Sequence, residues 1–275
     1  RTTHQPVPGP NDGLARLLSG YYQCRGLFGD DLVNHLEKVL IAEGEAKEWE
    51  WLALAEMIAP SPNSSLRFES PRERYALVQR TLARIGVERP LVVFADDAHW
   101  GVESLELASH ILKFQIDTPL LFVISVTDSI MATRPREAEA LAELEALDGV
   151  SRLSLEGLDA ASMSLLIREM LQLGGDLPDR LQQHVGGNPR YAVQLVSNLI
   201  RQGVLIPGER GLELSAGAQF ELPDDEYGAW HQQLERGLLD LPDEAASVLE
   251  MAVVLGTEVL RPEWELACEY VGIQL

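Results

Sequence analysis

Asp96 and Asp97 are the residues of this chain best placed to do chemistry, because they close the apolar run Leu91-Val92-Val93-Phe94-Ala95. β-Branched and aromatic residues in such a run predict a strand buried on both faces. Open α/β sheets bind ligands at the carboxyl ends of their strands, which is where these two carboxylates would emerge. One acid there can hold a divalent metal, directly or through water, and the second can orient or activate a water. The alternative is a strand that ends in a solvated Asp-Asp turn. Taken alone, two acids after an apolar run do not decide between them.

The elements that would position the acids follow from the pattern on either side. Glu103 to Leu112 reads as an amphipathic helix, and Leu120 to Val126 as a second buried strand. Thr127, Asp128 and Ser129 lie at the tip of that strand, beside the acids if the two strands are neighbours. A helix is expected over Glu137–Leu147, and the alternation of Val150–Leu155 predicts an edge or partner strand. Strands alternating with helices of about 10–15 residues mean a parallel α/β sheet. Upstream, helices are expected over Leu14–Cys24, Leu32–Ala42 (capped by Asp30 and Asp31), Trp49–Ile58 and Arg72–Gly86. Residues 1–13, rich in Pro and Gly, predict a loop or a poorly ordered end.

From Asp159 onward no further strand of the sheet is expected. Helices are predicted from Asp159 to Gln172, Leu177 to His184 and Arg190 to Gln202, then a small hairpin or linker over Gly208–Gln219. Further helices are expected from Glu226, Pro242 and Pro262. The expected division is an α/β core over 1–157, a helical region over 158–207, and a linker with a terminal helical region over 208–275.

Charge excludes some functions. Against 22 Lys and Arg stand 43 Asp and Glu, a net charge of −21, which repels nucleic-acid phosphates and anionic membranes alike. No direct nucleic-acid contact and no membrane contact are therefore expected. No apolar run approaches the ~18 residues that span a bilayer, and no signal peptide is visible; a cytoplasmic location is expected. Cys24 and Cys268 have no metal-ligand spacing and read as a reduced pair.

The Gly186-Gly187-Asn188-Pro189 break is the second informative stretch. By itself it is an ordinary connection between helices, with Pro189 in the first turn of the next one. Its place behind the predicted sheet, together with Asp96-Asp97-Ala98-His99-Trp100, resembles the STAND-type, AAA+-related signalling ATPases of bacterial regulators. The features come in that family's order: acid pair with His-Trp, second strand with a polar tip, helix from Asp159, Gly-Asn-Pro turn, and a start of a winged-helix-like region after Leu222. The resemblance implies a P-loop NTPase fold: a parallel-sheet core, a helical lid and a winged-helix-like beginning. It implies an ATP-binding and hydrolysing switch in signal transduction or transcription regulation, with ATP or ADP and Mg²⁺ between core and lid. Carried over, Asp96 would help hold Mg²⁺ and Asp97 would position or activate the attacking water. Thr127, or Ser125, would stand at the position that senses the γ-phosphate. Asn188 and Pro189 would flank the nucleotide, and Arg190 would sense phosphate.

Two departures qualify the resemblance. Many family members carry Arg where this chain has Asp128, with Arg134 or Arg136 either compensating or serving as solvated helix-start charges. More seriously, a phosphate loop needs Gly-x-x-x-x-Gly-Lys-Ser/Thr, and none of Lys38, Lys47 and Lys113 follows a Gly. In the family that loop and its central strand lie upstream of the position of Arg1, so preceding residues are expected in the natural protein, and these residues alone are expected to be inactive. Besides ATP, the expected partners are other domains of the same chain or like subunits and a regulatory protein; the competing expectation is a degenerate relative, a scaffold that binds partners but no nucleotide. His99 is read either as touching ligand or as fixing the loop by a hydrogen bond, and Trp49, Trp51 and Trp100 as packing residues.

Overall fold

The run from Leu91 to Asp96 is the middle strand of a three-stranded parallel sheet. The structure is a computed structural model that describes residues 1–9, 12–44, 47–61, 64, 66–87, 89–114, 118–170, 172–173, 177–208, 211–215, 226–239, 241, 245–256 and 259–273. The chain divides into two units, one of residues 1–152 with 247–275 and one of residues 153–246. In chain order the first contains β1 (Thr2–Thr3), α1 (Gly13–Tyr21), α2 (Gly29–Glu43), α3 (Glu48–Ile58) and α4 (Pro71–Ile85). It continues with β2 (Leu91–Asp96), α5 (Val102–Phe114), β3 (Leu120–Ile124), the single turn α6 (Asp128–Met131) and α7 (Pro135–Glu145). The second holds α8 (Ala160–Leu165), α9 (Leu177–Val185), α10 (Pro189–Arg201), strands β4 (Leu205–Gly208) and β5 (Gly211–Leu214), and α11 (Glu226–Leu239). Most of α12 (Ala245–Leu255) and all of α13 (Arg261–Val271) belong again to the first unit.

Strand order is β1-β2-β3, with Thr2 opposite Ala95 and Leu91 to Ala95 opposite Leu120 to Ile124. The two-residue period of a strand separates its faces. Val93 and Ala95 are buried, and Val93 joins a core built by Leu14, Leu36, Leu54, Val78, Leu107 and their neighbours. Phe122 and Ile124 pack with Leu105, Ala108 and Leu144 of α5 and α7. The opposite face is open: Val92 is 66% and Leu121 57% exposed. Sequence predicted strands buried on both faces; the helices of this unit cover one.

The helices form for ordinary reasons. Leu32, Leu36 and Leu40 recur every turn of α2 and are fully buried; Asp30 and Asp31 do not cap it, since it starts one residue earlier with Phe28 at the cap, and sit instead in its first turn, where the helix dipole favours acids. Pro71 and Pro135 start α4 and α7 at a position that needs no N–H. Between α3 and α4 the buried Glu50 pairs with Arg80 and Arg84, and Arg84 also donates to the Tyr22 hydroxyl at 3.0 Å. Removing one partner of such a buried network costs about 3–5 kcal/mol.

Three further expectations are corrected. Residues 2–5 are not a frayed end: Thr2–Thr3 pair with β2, and Thr2, His4 and Gln5 are buried. Val150–Leu155 forms no strand; Leu153 and Leu155 are 83% and 88% exposed, because alternation alone, without pairing to a neighbour, fixes no ladder. The helix from Asp159, whose carboxylate caps it through Ser162 N–H at 2.7 Å, passes into a π-helical turn at Leu166–Met170 instead of running regularly to Gln172.

In the second unit, Met163, Ile167, Leu177, Leu181, Tyr191 and Leu195 form a separate core. The hairpin expected within Gly208–Gln219 begins earlier: β4 and β5 pair with Leu205 opposite Leu214 and Gly208 opposite Gly211; residues 209–210 and 216–219 lie outside the described residues, as does the helix start expected at Pro242. Cys24 and Cys268 are free and buried. Among the described residues no helix is long and apolar enough to cross a membrane.

Candidate functional site

Register brings the polar groups of the first unit together. One step beyond the Ala95–Ile124 pair, Ser125 stands beside Asp96, and Ser125 N–H donates to the Ala95 carbonyl at 2.9 Å. The Ser125 hydroxyl donates to Asp96 Oδ1 at 2.7 Å and accepts the Asp97 N–H at 3.0 Å. One serine thus holds the side chain of the first acid and the backbone of the second. That hydroxyl, and then the guanidinium of Arg1, keep the Asp96 carboxyl below the usual carboxylate range against the opposing effect of burial. Asp96 is therefore an anion at neutral pH.

Asp97 differs. Its backbone is left-handed, with φ 55°, a conformation that costs a residue with a Cβ roughly 1–2 kcal/mol. The turn starts the short 3₁₀ helix Ala98–Trp100 and leaves the Asp97 side chain 50% exposed, whereas that of Asp96 is 24% exposed. One carboxylate is anchored and the other is offered to solvent.

His99 joins the two strand ends. Its Nδ1 accepts the Thr127 N–H at 3.1 Å, and its Nε2 lies 4.0 Å from Asp97 Oδ1. The ring is buried, and burial lowers its pKa, which keeps Nδ1 free to accept. Of the two roles read for His99, fixing the loop is the one this hydrogen bond performs. Thr127 takes part here through its backbone; Ser125, not Thr127, supplies the hydroxyl that touches the acids.

A second layer of polar groups supports the strand end. His4 N–H donates to the Asp96 carbonyl at 3.0 Å, and the His4 ring is hydrogen-bonded through Nε2 to Ser104 Oγ at 2.7 Å. Its Nδ1 lies 3.5 Å from Asp12 Oδ1. Glu103 accepts the Leu14 N–H at 2.8 Å and pairs with Arg74 at 3.1 Å. Ser104 and His4 are both buried, and this serine–histidine–aspartate chain ties β1, α1 and α5 together. Sequence reading missed it, since no pattern joins positions 4, 12 and 104.

Further charges are taken up locally. Asp128 pairs with Arg152 at 2.6 Å, and Arg152 also with Glu145 at 3.1 Å. Arg134 pairs with Glu137 at 2.7 Å and lies over the Trp100 ring, while Arg136 faces Glu106 at 3.5 Å. Trp51 packs against the core and Trp49 lies beneath Arg80.

Asn188, Pro189 and Arg190 come together in the second unit. Asn188 caps α10, its side chain accepting the Tyr191 N–H at 3.1 Å, and Pro189 is the first helical residue. Gly187 has φ 83°, and a Cβ there would lie 2.9 Å from the Leu158 carbonyl oxygen; the Leu158 N–H donates to the Gly187 carbonyl at 2.8 Å. The glycine is required by a close backbone approach. Arg190 is exposed at the start of the helix.

Among the described residues, no three His, Cys, Asp or Glu side chains form a group able to hold a metal. The first unit instead presents one anchored carboxylate, Asp96, whose Oδ2 already carries a cationic group, the Arg1 guanidinium, at 2.6 Å. That suits an ion held by one carboxylate and completed by water and phosphate, as Mg²⁺ commonly is. No protein-family model, curated protein or solved structure matches the chain.

Proposed function

We propose that the chain is the core and lid of a nucleotide-dependent switch, in which Mg²⁺-ATP is bound and slowly hydrolysed at Asp96 and Asp97, as in the STAND-type ATPases it resembles. The observation that carries this reading is the different treatment of the two acids. Ser125 anchors Asp96 as an anion, and a left-handed backbone turns Asp97 out to solvent. A bound Mg²⁺ would neutralise charge on the phosphates, and Asp96 Oδ2 is the atom that would hold it. Asp97 is free to accept a proton from, or orient, an attacking water. Thr127, Asn188, Pro189 and Arg190 are assigned to nucleotide contact through the resemblance alone.

These residues contain no phosphate loop, so the reading requires one on a strand paired with the outer edge of β3. Among the described residues no strand pairs with that edge, and Val92, Leu121 and Val123 on the adjacent face are exposed. Parallel sheets are ordinarily covered on both faces, which supports a further strand-and-helix layer there.

The test uses the protein as its gene encodes it. Asp97→Asn keeps a side chain that tolerates the left-handed backbone, so the fold is expected to survive. Hydrolysis should fall by roughly 10²-fold or more with Mg²⁺-ATP affinity retained; unchanged hydrolysis overturns the catalytic role. A second reading, a scaffold that has lost nucleotide binding, is favoured by Asp128, which puts a carboxylate where many family members carry Arg and is itself paired with Arg152 at 2.6 Å. Absence of Mg²⁺-ATP and Mg²⁺-ADP binding by calorimetry would establish it in place of the first.

A further inference from the structure

The group on Asp96 Oδ2 is part of the chain itself. Thr2 and Thr3 pair with Ala95 and Asp96, and His4 N–H donates to the Asp96 carbonyl, so the backbone delivers residue 1 to the end of β2. From there Arg1 Nη2 reaches Asp96 Oδ2 at 2.6 Å, with its guanidinium carbon 5.3 Å from the centre of the Phe94 ring. The other oxygen, Oδ1, is taken by Ser125. The arginine side chain is 64% exposed against 24% for the aspartate. The cation can therefore swing into solvent while the carboxylate stays in place.

We propose that Arg1 is a built-in competitor for the divalent metal, holding Asp96 Oδ2 until the ion displaces it. This inference rests on the reading of Asp96 as the metal-holding residue. A divalent ion takes a carboxylate oxygen at about 2.0–2.6 Å, the space in which the guanidinium N–H now lies. Two cations on one oxygen also repel, so the states exclude each other. Arg1 in this way sets the metal concentration at which the site fills, and keeps a partly buried carboxylate paired below it. The contact is solvent-exposed, so the competition is mild and reversible.

The experiment titrates Mn²⁺, followed by the electron paramagnetic resonance of the free ion, into the full chain, Arg1→Gln, Asp96→Asn and the double variant. Arg1→Gln is expected to tighten Mn²⁺ binding about two- to fivefold, and to change nothing once Asp96 is Asn. Asparagine at 96 can still accept from Ser125, so the strand end keeps its geometry. If Asp96→Asn weakens Mn²⁺ binding but Arg1→Gln leaves it unchanged, the competition is overturned and the metal role of Asp96 stands. If Arg1→Gln tightens binding equally in the Asp96→Asn background, the effect is general charge and the competition is again overturned. If Asp96→Asn binds like the parent, the metal role itself fails, and the competition with it.

Discussion

Ser125 is the residue on which the acid pair depends, since one hydroxyl both donates to Asp96 and accepts from Asp97. Ser125→Ala leaves the Asp97 N–H without its acceptor and Asp96 Oδ1 without its donor. Losing such partners in a partly buried place costs about 1–3 kcal/mol, expected as a lower urea midpoint. The Asp96 carboxyl should also move back up toward its ordinary range, because the serine is the largest cause of its depression. A depressed carboxyl contributes stability that is present above its unfolded value and lost as pH falls through its folded value. The variant should therefore lose less stability on acidification than the parent, measured by urea midpoints at about pH 6 and about pH 3, on either side of the unfolded aspartate value of about 3.9. An Asp96 carbon resonance that titrates unchanged in Ser125→Ala would contradict the assignment. Sequence reading put Thr127 ahead of Ser125, because polarity at a strand tip is visible and register is not. Asp96 and Ser125 are 29 residues apart, and only the pairing of Leu91 with Leu120 makes them neighbours.

At the scale of elements, the signals that survived were those with a local mechanism. The apolar runs became β2 and β3, Asp159 capped its helix, and Pro189 opened α10. What failed needed a partner elsewhere in the chain. β1 is two residues long and carries no pattern, and Val150–Leu155 has the pattern but pairs with no strand. The Gly186-Gly187 turn gives an internal comparison of the two kinds of cause. Both glycines have positive φ, but a Cβ at Gly186 meets nothing within 4 Å, whereas one at Gly187 meets the Leu158 carbonyl oxygen. Gly186→Ala should cost about 1–2 kcal/mol, the penalty of the left-handed backbone alone. Gly187→Ala should cost clearly more, because a backbone oxygen cannot turn aside as a side chain can. Urea denaturation of the two variants checks this, and equal costs would show that the approach of residues 157–158 to the turn contributes nothing.

The whole molecule carries two opposing responses to acid. A net charge of −21 repels itself, so protonating carboxylates should favour folding. Against this, His4 and His99 are buried, and burial lowers both pKa values, as it does that of the half-buried His110. Around His4 stand Asp12, Glu103 and Asp97, and around His99 stand Asp97, Asp96, Arg134 and His4; the acids among them only offset part of the burial effect. A histidine whose folded pKa lies below its unfolded value of about 6.5 binds fewer protons in the folded state. Its contribution is present above that value and is lost as pH falls toward the folded pKa, at up to about 1.4 kcal/mol per pH unit for each ring. The two responses separate because carboxylates of ordinary pKa, near 4, scarcely titrate above pH 5.5. Between about pH 7 and pH 5.5 the histidines therefore decide the sign, and stability should fall with pH although the net charge is also falling. Urea midpoints at pH 7.5, 6.5 and 5.5 in constant salt measure it. His99→Gln, whose amide oxygen can still accept from the Thr127 N–H, should flatten the slope. A midpoint that rises steadily toward pH 5.5 in the parent would mean that charge repulsion outweighs the buried rings, and that His4 and His99 accept protons without loosening the strand ends they join.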